Sequence, residues 1–220
     1  PNDVEFLLIQ NDDYINASNF DDYIYASTGD DEVYGNNGND QIFGADGNDT
    51  LSGGSGNDVI DGGSGTDKAI FRGNFEEYVF SLGESKGEKT IQISDSDTYK
   101  DGSDTIIRIE SFSFNGVSYS LDNVLDKTSF DTWNYLASYE DLINTYGTDT
   151  LKASQHYLEA GSKEGRSMDI FDEWAYLASN NDLIDVFGSD TNSATQHYVT
   201  SGYKEGRNKS TFNADQYLKN

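Results

Sequence analysis

The chain has no cysteine among its 220 residues, one proline, one methionine and two histidines. Without cysteine there are no disulfides and no thiolate metal sites. Basic residues are scarce too: 14 Lys and Arg stand against 40 Asp and Glu, a net charge of −26. That excess repels nucleic acid and anionic membrane surfaces, favours cations, and opposes compaction unless something neutralises it. No apolar run approaches the roughly 18 residues of a membrane span, so no membrane insertion is expected. No signal peptide is visible and the chain begins at Pro1, so it reads as part of something longer. Catalytic signatures are missing: no G-x-S-x-G, no H-E-x-x-H and no phosphate loop. The expectation is a non-catalytic chain, with room for a catalytic domain upstream in a parent protein.

What the chain does have is acid on a fixed beat. Residues 1–70 hold 15 Asp or Glu against one Lys, a net of 1 − 15 = −14, over half of the total. Residues 8–70 tile into blocks of nine: LIQNDDYIN, ASNFDDYIY, ASTGDDEVY, GNNGNDQIF, GADGNDTLS, GGSGNDVID and GGSGTDKAI. The sixth position is always Asp: Asp13, Asp22, Asp31, Asp40, Asp49, Asp58 and Asp67. The eighth is apolar: Ile15, Ile24, Val33, Ile42, Leu51, Ile60 and Ala69. The fourth is Gly in the last five blocks, from Gly29 to Gly65. Internal repeats of this kind take precedence over any local reading.

A Gly-rich turn followed by a short strand can wind. Two nonapeptides make one coil, so strands stack about 4.8 Å apart and each sixth-position Asp lies over the one two blocks on. Glycine lets the turns reach φ > 0 and aim carbonyls into the gap between coils. Two carboxylates about 5 Å apart at an effective dielectric near 20 repel by roughly 3 kcal/mol. One buried aliphatic side chain per block returns about 1.5–3 kcal/mol, well below the cost of ordering nine residues. An all-oxygen gap of carboxylates and carbonyls, with neither His nor Cys, suits Ca²⁺ better than zinc or copper. Several calcium ions are expected, and without them this segment is expected to be unfolded.

GNNGNDQIF, GADGNDTLS and GGSGNDVID resemble the RTX (repeats-in-toxin, haemolysin-type) calcium-binding nonapeptide G-G-x-G-x-D-x-U-x. The resemblance covers residues 35–67 and implies a parallel β-roll with calcium between turns, and export through a type I secretion machinery. Carried over by position, the ligand loops are 35–40, 44–49, 53–58 and 62–67. The metal-site residues so implied are Gly35, Asn37, Asp40, Gly44, Asp46, Asp49, Gly53, Gly54, Gly56, Asp58, Gly62, Gly63, Gly65 and Asp67, together with Asp31. In the two earlier blocks Phe20 and Asn11 stand where Gly belongs. Asp13 and Asp22 are further candidates, in turns that the pattern reads as a metal-free extension of the roll.

Residues 71–126 change character. YVFSL, KTIQIS, DTIIRI and SFSFNGVSYSL alternate apolar and polar residues and read as strands, with Asn115-Gly116 as a two-residue hairpin turn. They resemble the β-rich segment that caps such rolls. Asp95, Asp97, Asp101 and Asp104 form either an acidic surface turn or a further calcium loop.

From Phe130 the chain repeats with a period of 41: a copy begins at Phe130, another at Phe171, and a third starts at Phe212. Three short helices per copy are expected. Asp131 and Asp172 cap the first, and S-x-x-D boxes (Ser138 with Asp141, Ser179 with Asp182) open the second. Gly147 and Gly188 end the second, and Gly161 and Gly202 end the third. Trp133, Leu136, Leu142, Ile143, Tyr146 and Tyr157, with Trp174, Leu177, Leu183, Ile184, Phe187 and Tyr198, supply the expected core. His156 and His197 recur without further ligands and read as packing or hydrogen-bonding groups; Glu164-Arg166 and Glu205-Arg207 read as ion pairs or caps.

The fold class expected is mixed β and α: a calcium-stacked parallel β-roll (1–70), a β-rich cap (71–126) and helical repeats (127–220). The function expected is a calcium-binding module of a secreted or cell-surface bacterial protein that folds on extracellular calcium. Two other readings stay open: an adhesin module whose helical repeats bind carbohydrate or a cell surface, with a surface glycan as partner, and the tail of an exported hydrolase.

Overall fold

In the computed structural model, residues 5–7 (as backbone), 11–85, 88–95 and 101–210 are described. The chain divides into two compact units, Pro1–Phe130 with Gln155–Glu164, and Asp131–Ser154 with Gly165–Asn220.

The first unit is a wound pair of parallel sheets. The coils supply β1 (Glu5–Leu7), β2 (Tyr14–Asn16), β3 (Tyr23–Tyr25), β4 (Glu32–Asn37), β5 (Gln41–Asp46), β6 (Thr50–Ser55), β7 (Val59–Ser64) and β8 (Lys68–Phe71). Odd-numbered strands stack in one sheet and even-numbered strands in the other. The register is set by the period: Ile24 pairs Ile42 and Ile42 pairs Ile60, while Ile15 pairs Val33 and Val33 pairs Leu51. These eighth-position side chains are buried between the sheets, one per block. From β2 to β8 each strand begins one residue after its sixth-position Asp, and a slip of one residue would turn the eighth-position side chain to solvent, so even a core this thin fixes the register.

The following segment does more than cover the roll. Five further strands follow: β9 (Tyr78–Ser85), β10 (Glu88–Asp95), β11 (Ser103–Ile107), β12 (Ser111–Phe114) and β13 (Val117–Ser120). β11 lies parallel to β7 with Ile106 opposite Ile60, and β12 lies parallel to β8 with Phe112 opposite Ala69. The winding therefore goes on for one more coil after an excursion that includes the β9–β10 hairpin. Asn115 and Gly116 both have positive φ, the turn that two-residue hairpins require, and join β12 to β13. At this end the core thickens into an aromatic cluster. Phe71 stacks on Phe114 at 4.9 Å between ring centroids, and Phe75 stacks on Tyr119 at 4.2 Å. Helix α1 (Leu121–Leu125) adds Leu121, Val124 and Leu125 to the buried set. Residues 155–164 belong to this unit: Phe130 stacks on Tyr157, and Lys163 pairs with Glu88 at 2.7 Å. A boundary near residue 127 misses that return.

The second unit carries α2 (Thr132–Ser138), α3 (Glu140–Tyr146), most of α4 (Thr150–His156), α5 (Glu173–Ser179), α6 (Asn181–Phe187) and α7 (Thr191–His197). Asp131 and Asp172 cap their helices through the Asn134 and Ala175 amides. Gly147 and Gly188 end α3 and α6 with positive φ. The third helix of each copy runs on into a π-turn that closes at Gly161 or Gly202. Gly202 is small because the Tyr176 hydroxyl occupies the space a Cβ would need.

Two expectations fail here. The S-x-x-D boxes do not form: Ser138 instead donates back to the Asn134 carbonyl, and Tyr139, with no side-chain cap, opens α3. Asp141 and Asp182 are drawn to the guanidinium groups of Arg166 and Arg207, at 2.7 and 2.8 Å. The expected core is also redistributed. Trp174 and Ile184 are largely exposed, while Tyr135 and Tyr176 are fully buried; helical spacing identifies an apolar face but not whether a neighbour covers it.

The aromatic cluster makes the roll end the firmest part of its core. In saturating calcium we expect Phe114→Ala to cost about 3–5 kcal/mol and Val117→Ala, on the exposed side of the hairpin, less than about 0.5 kcal/mol. Urea unfolding followed by far-UV circular dichroism measures both.

Candidate metal centre

The sixth-position aspartates form a ladder along the roll. From Asp31 onward one oxygen of each carboxylate, Oδ1, accepts the backbone N–H of the aspartate two blocks earlier. Asp31 accepts from Asp13 at 2.8 Å, Asp40 from Asp22 at 2.8 Å, Asp49 from Asp31 at 2.9 Å, Asp58 from Asp40 at 2.8 Å and Asp67 from Asp49 at 2.8 Å. Asp over Asp at a separation of 18 is thus the observed register, but the contact is carboxylate to amide.

The other oxygen is left over. Oδ2 of Asp13, Asp31, Asp40, Asp49, Asp58 and Asp67 is buried without any hydrogen-bond partner in the protein. A buried carboxylate oxygen of this kind carries a desolvation cost of several kcal/mol unless a cation meets it. Glycine at the first position of the block makes the room. A Cβ at Gly35, Gly44, Gly53 or Gly62 would run into Oδ2 of Asp40, Asp49, Asp58 or Asp67 respectively. Backbone carbonyls reach the same spots: Gly53 O lies 2.6 Å from the position of a Gly35 Cβ, and Gly62 O lies 2.7 Å from that of Gly44. At Gly62 the carbonyl is supplied by Arg108. Among the described residues no three acidic or histidine side chains converge on one point. Any cation held here would take one or two carboxylates and complete its shell with carbonyls and water, a hard-oxygen set that fits calcium.

Burial pushes these carboxyls up, with the accepted N–H pulling down and neighbouring acids adding to the rise. Asp40 and Asp49 are raised to about 6, Asp58 and Asp67 to about 7, and Asp31 is raised as well.

The remaining predicted residues divide. Gly54 and Gly63 at the second position, and Gly56 and Gly65 at the fourth, all have positive φ and pack against the carbonyls of Asn36, Ala45, Gly38 and Gly47. They shape the turn. Asn37 and Asp46 are exposed, and Asn37 donates to Asn19. Asp31 has Ala26 at its first position, so a methyl replaces the open space of the later blocks. Asp22 turns its Oδ2 to the amide and hydroxyl of Ser18, closing its own loop. Asp97 lies outside the described residues. Asp101 is fully engaged: its carboxylate takes Arg72 Nε at 2.7 Å, the Arg72 amide at 2.8 Å and the Tyr78 hydroxyl. Asp95 Oδ2 accepts the Asp101 amide while its Oδ1 has no partner.

Three features escaped the sequence reading. Asp104 Oδ1 accepts the Asp58 amide at 2.9 Å, and Glu110 Oε2 accepts the Asp67 amide at 2.8 Å, so the ladder continues onto the added coil. Burial beside Asp58 raises Asp104 to about 9. The signal was present: D-G-S-D-T-I-I at 101–107 keeps the fourth, sixth and eighth positions of the repeat. The third feature is a parallel ladder at the fifth position, where Asp or Asn side chains accept amides from the coil above: Asp12 from Asp30, Asp21 from Asn39, Asp30 from Asn48, Asn39 from Asn57 and Asn48 from Thr66.

The family model for the RTX calcium-binding nonapeptide repeat (4 copies) matches residues 10–42 and 34–69. Residues 10–69 are RTX calcium-binding nonapeptide repeats. Repeats of this family bind several calcium ions per domain, and the RTX roll here carries its ladder over the whole matched stretch. Among solved structures the chain is similar to the solution structure of the AlgE6R3 subunit from the Azotobacter vinelandii mannuronan C5-epimerase. That match has 20% identity and a TM-score of 0.27, covering 44% of this chain and 71% of that one. None of the curated proteins compared with the chain matches it. No helix among the described residues is long and apolar enough to cross a membrane.

Raised carboxyls fix the sign of the pH response. Between the ordinary carboxyl value near 4 and the raised values of about 6 and 7, the folded calcium-free roll binds more protons than the unfolded chain. Acid therefore favours the calcium-free fold, and this stabilisation is lost as pH rises through about 7. In chelator we expect β-structure to grow on going from about pH 8 to about pH 5, while in calcium the apparent affinity weakens over the same change. A chelated roll whose circular dichroism gains β-structure with rising pH would contradict the assignment.

Proposed function

We propose that the chain is a non-catalytic calcium-folded module of a secreted or cell-surface bacterial protein, whose roll stays unfolded through type I secretion and winds up in extracellular calcium. The observation that carries this reading is the row of buried Oδ2 atoms without partners, four of them against a glycine that leaves room for an ion. The ions would lie at four cradles, those of Asp40, Asp49, Asp58 and Asp67, with carbonyls of Gly53, Gly62 and Arg108 among the donors. In these cradles the bound cation supplies the positive charge that the orphaned oxygens lack. The chain's own part is to hold each carboxylate by its Oδ1, so that Oδ2 and the carbonyls are set before the ion arrives. Ala17 and Ala26 support a metal-free start to the roll.

A site loaded to a hundredfold over its dissociation constant adds about 2.7 kcal/mol, so four add roughly 11 kcal/mol, comparable to the stability of a whole domain. Calcium in the extracellular range of about 10⁻³ M loads sites of about 10⁻⁵ M to that degree, and cytosolic levels leave them empty. The net charge of −26 fits the same picture, since it keeps the calcium-free chain extended and soluble. The helical repeats hold their fold with aromatic packing such as Phe171 on Tyr198, at 5.0 Å, and have no corresponding row of orphaned carboxylates among their described residues.

Circular dichroism titrated with calcium tests the reading. We expect a cooperative gain of β-structure over a constant helical signal, reversed by EGTA. Asp49→Asn and Gly44→Ala should each raise the calcium midpoint at least about tenfold, whereas Asp190→Asn, at a helix cap, leaves it unchanged. A titration without a transition, or a roll fully folded in EGTA, would overturn the proposal.

A further inference from the structure

Calcium binding leaves unused a cavity of about 320 Å³ on the outer face of the sheet that contains β3, β5 and β7. It is lined chiefly by Tyr25, Phe43, Asp46, Asp61, Ser64 and Arg108. The repeat places these groups. Tyr25, Phe43 and Asp61 occupy the ninth position of alternate blocks and lie side by side across the three strands. The Tyr23 ring extends the apolar wall, its centroid 5.2 Å from that of Phe43. Tyr25 keeps 40% of its surface in solvent although it belongs to no core.

The polar side of the cavity is built with strain. Asp61 is 7% exposed, and both its oxygens are gripped by the Arg108 guanidinium, Nε to Oδ1 at 2.9 Å. Arg108 has φ of 48°, a left-handed backbone that a non-glycine residue adopts at a cost. The same residue turns its carbonyl toward the Gly62 cradle. A bare ion pair does not need this arrangement. It gives a rigid fork beside an aromatic wall, with part of the guanidinium still open to solvent.

Charge narrows the class of ligand. Asp46 and the net charge of −26 disfavour anions, and the Arg108 guanidinium is taken up by Asp61 rather than left to draw one in. The volume falls at the lower end of ligand pockets, about 300–1,000 Å³. An aromatic wall facing donors and acceptors suits a ring with an apolar face and a rim of hydroxyls. We propose that this cavity binds a neutral saccharide, one pyranose ring stacking on Tyr25 and Phe43 while its hydroxyls bond to Asp46, Ser64 and the Asp61–Arg108 pair. The proposal rests on the calcium-folded roll, since Arg108 joins the cavity to the last cradle.

The test uses the full chain in saturating calcium, with circular dichroism first establishing that the roll is folded, so that failure of the folding reading is seen separately. Saturation-transfer NMR then probes maltohexaose, cellohexaose and mannohexaose, with a galacturonate hexamer and spermidine as charged comparators. We expect at least one neutral hexaose to bind. Tyr25→Ala and Phe43→Ala should each weaken that binding about tenfold, and Tyr14→Ala, an exposed aromatic on the other sheet, should not change it. The proposal is overturned if the folded chain binds no neutral hexaose, prefers either charged probe, or binds equally well after Tyr25→Ala.

Discussion

From Asp31 to Asp67 each sixth-position carboxylate of the roll has two oxygens with different fates, and the rest of the first unit follows from that difference. Oδ1 is tied to an amide one coil away and cannot move. Oδ2 is thereby fixed in a buried place with nothing to bond. Hydrogen bonding alone would favour a side chain that satisfies both atoms. The chain instead holds five such residues in register, from Asp31 to Asp67, and opens space beside four of them with glycine. A structure of that kind is complete only with cations, so its stability is a function of their concentration.

The same constraint explains the composition. Eighth-position side chains fill the narrow interior between the sheets, one per block. Glycine recurs where the turn backbone of one coil stacks on the carbonyls of the next. The aromatic residues move elsewhere, to the cluster around Phe114 that closes the last coil, and to the helical repeats. At the closing end a guanidinium, a tyrosine and Asp101 lock the hairpin to the roll, and Glu110 ends the ladder while accepting from Gln155.

Much of this was legible in the sequence because the repeat is local: nine residues specify a turn and a strand, and the period alone sets which residues stack. The ladder partners of Asp40, Asp49 and Asp58 follow from counting. What counting could not reach is the added coil, where the insertion holding β9 and β10 breaks the period, so Asp104 returns 46 residues after Asp58 and Glu110 returns 43 after Asp67. Asp101 looked like a ligand because its neighbours are acidic, yet Arg72, 29 residues before it, claims it. In the helical repeats, Asp141 matched a capping pattern and was drawn instead to Arg166, 25 residues on. Local motifs lose to distant guanidinium groups because a bidentate charged contact outweighs a single cap.

Amide hydrogen exchange probes the ladder itself. The backbone N–H groups of Asp31, Asp40 and Asp49 are the ones that Oδ1 holds one coil away, and they are buried. With calcium present the account predicts strong protection at these three amides, lost on adding EGTA, while the amides of Tyr135 and Tyr176 in the helical repeats exchange at the same rate in both conditions. Equal protection of Asp31, Asp40 and Asp49 with and without calcium would mean that the roll stands without cations, and the account would be wrong.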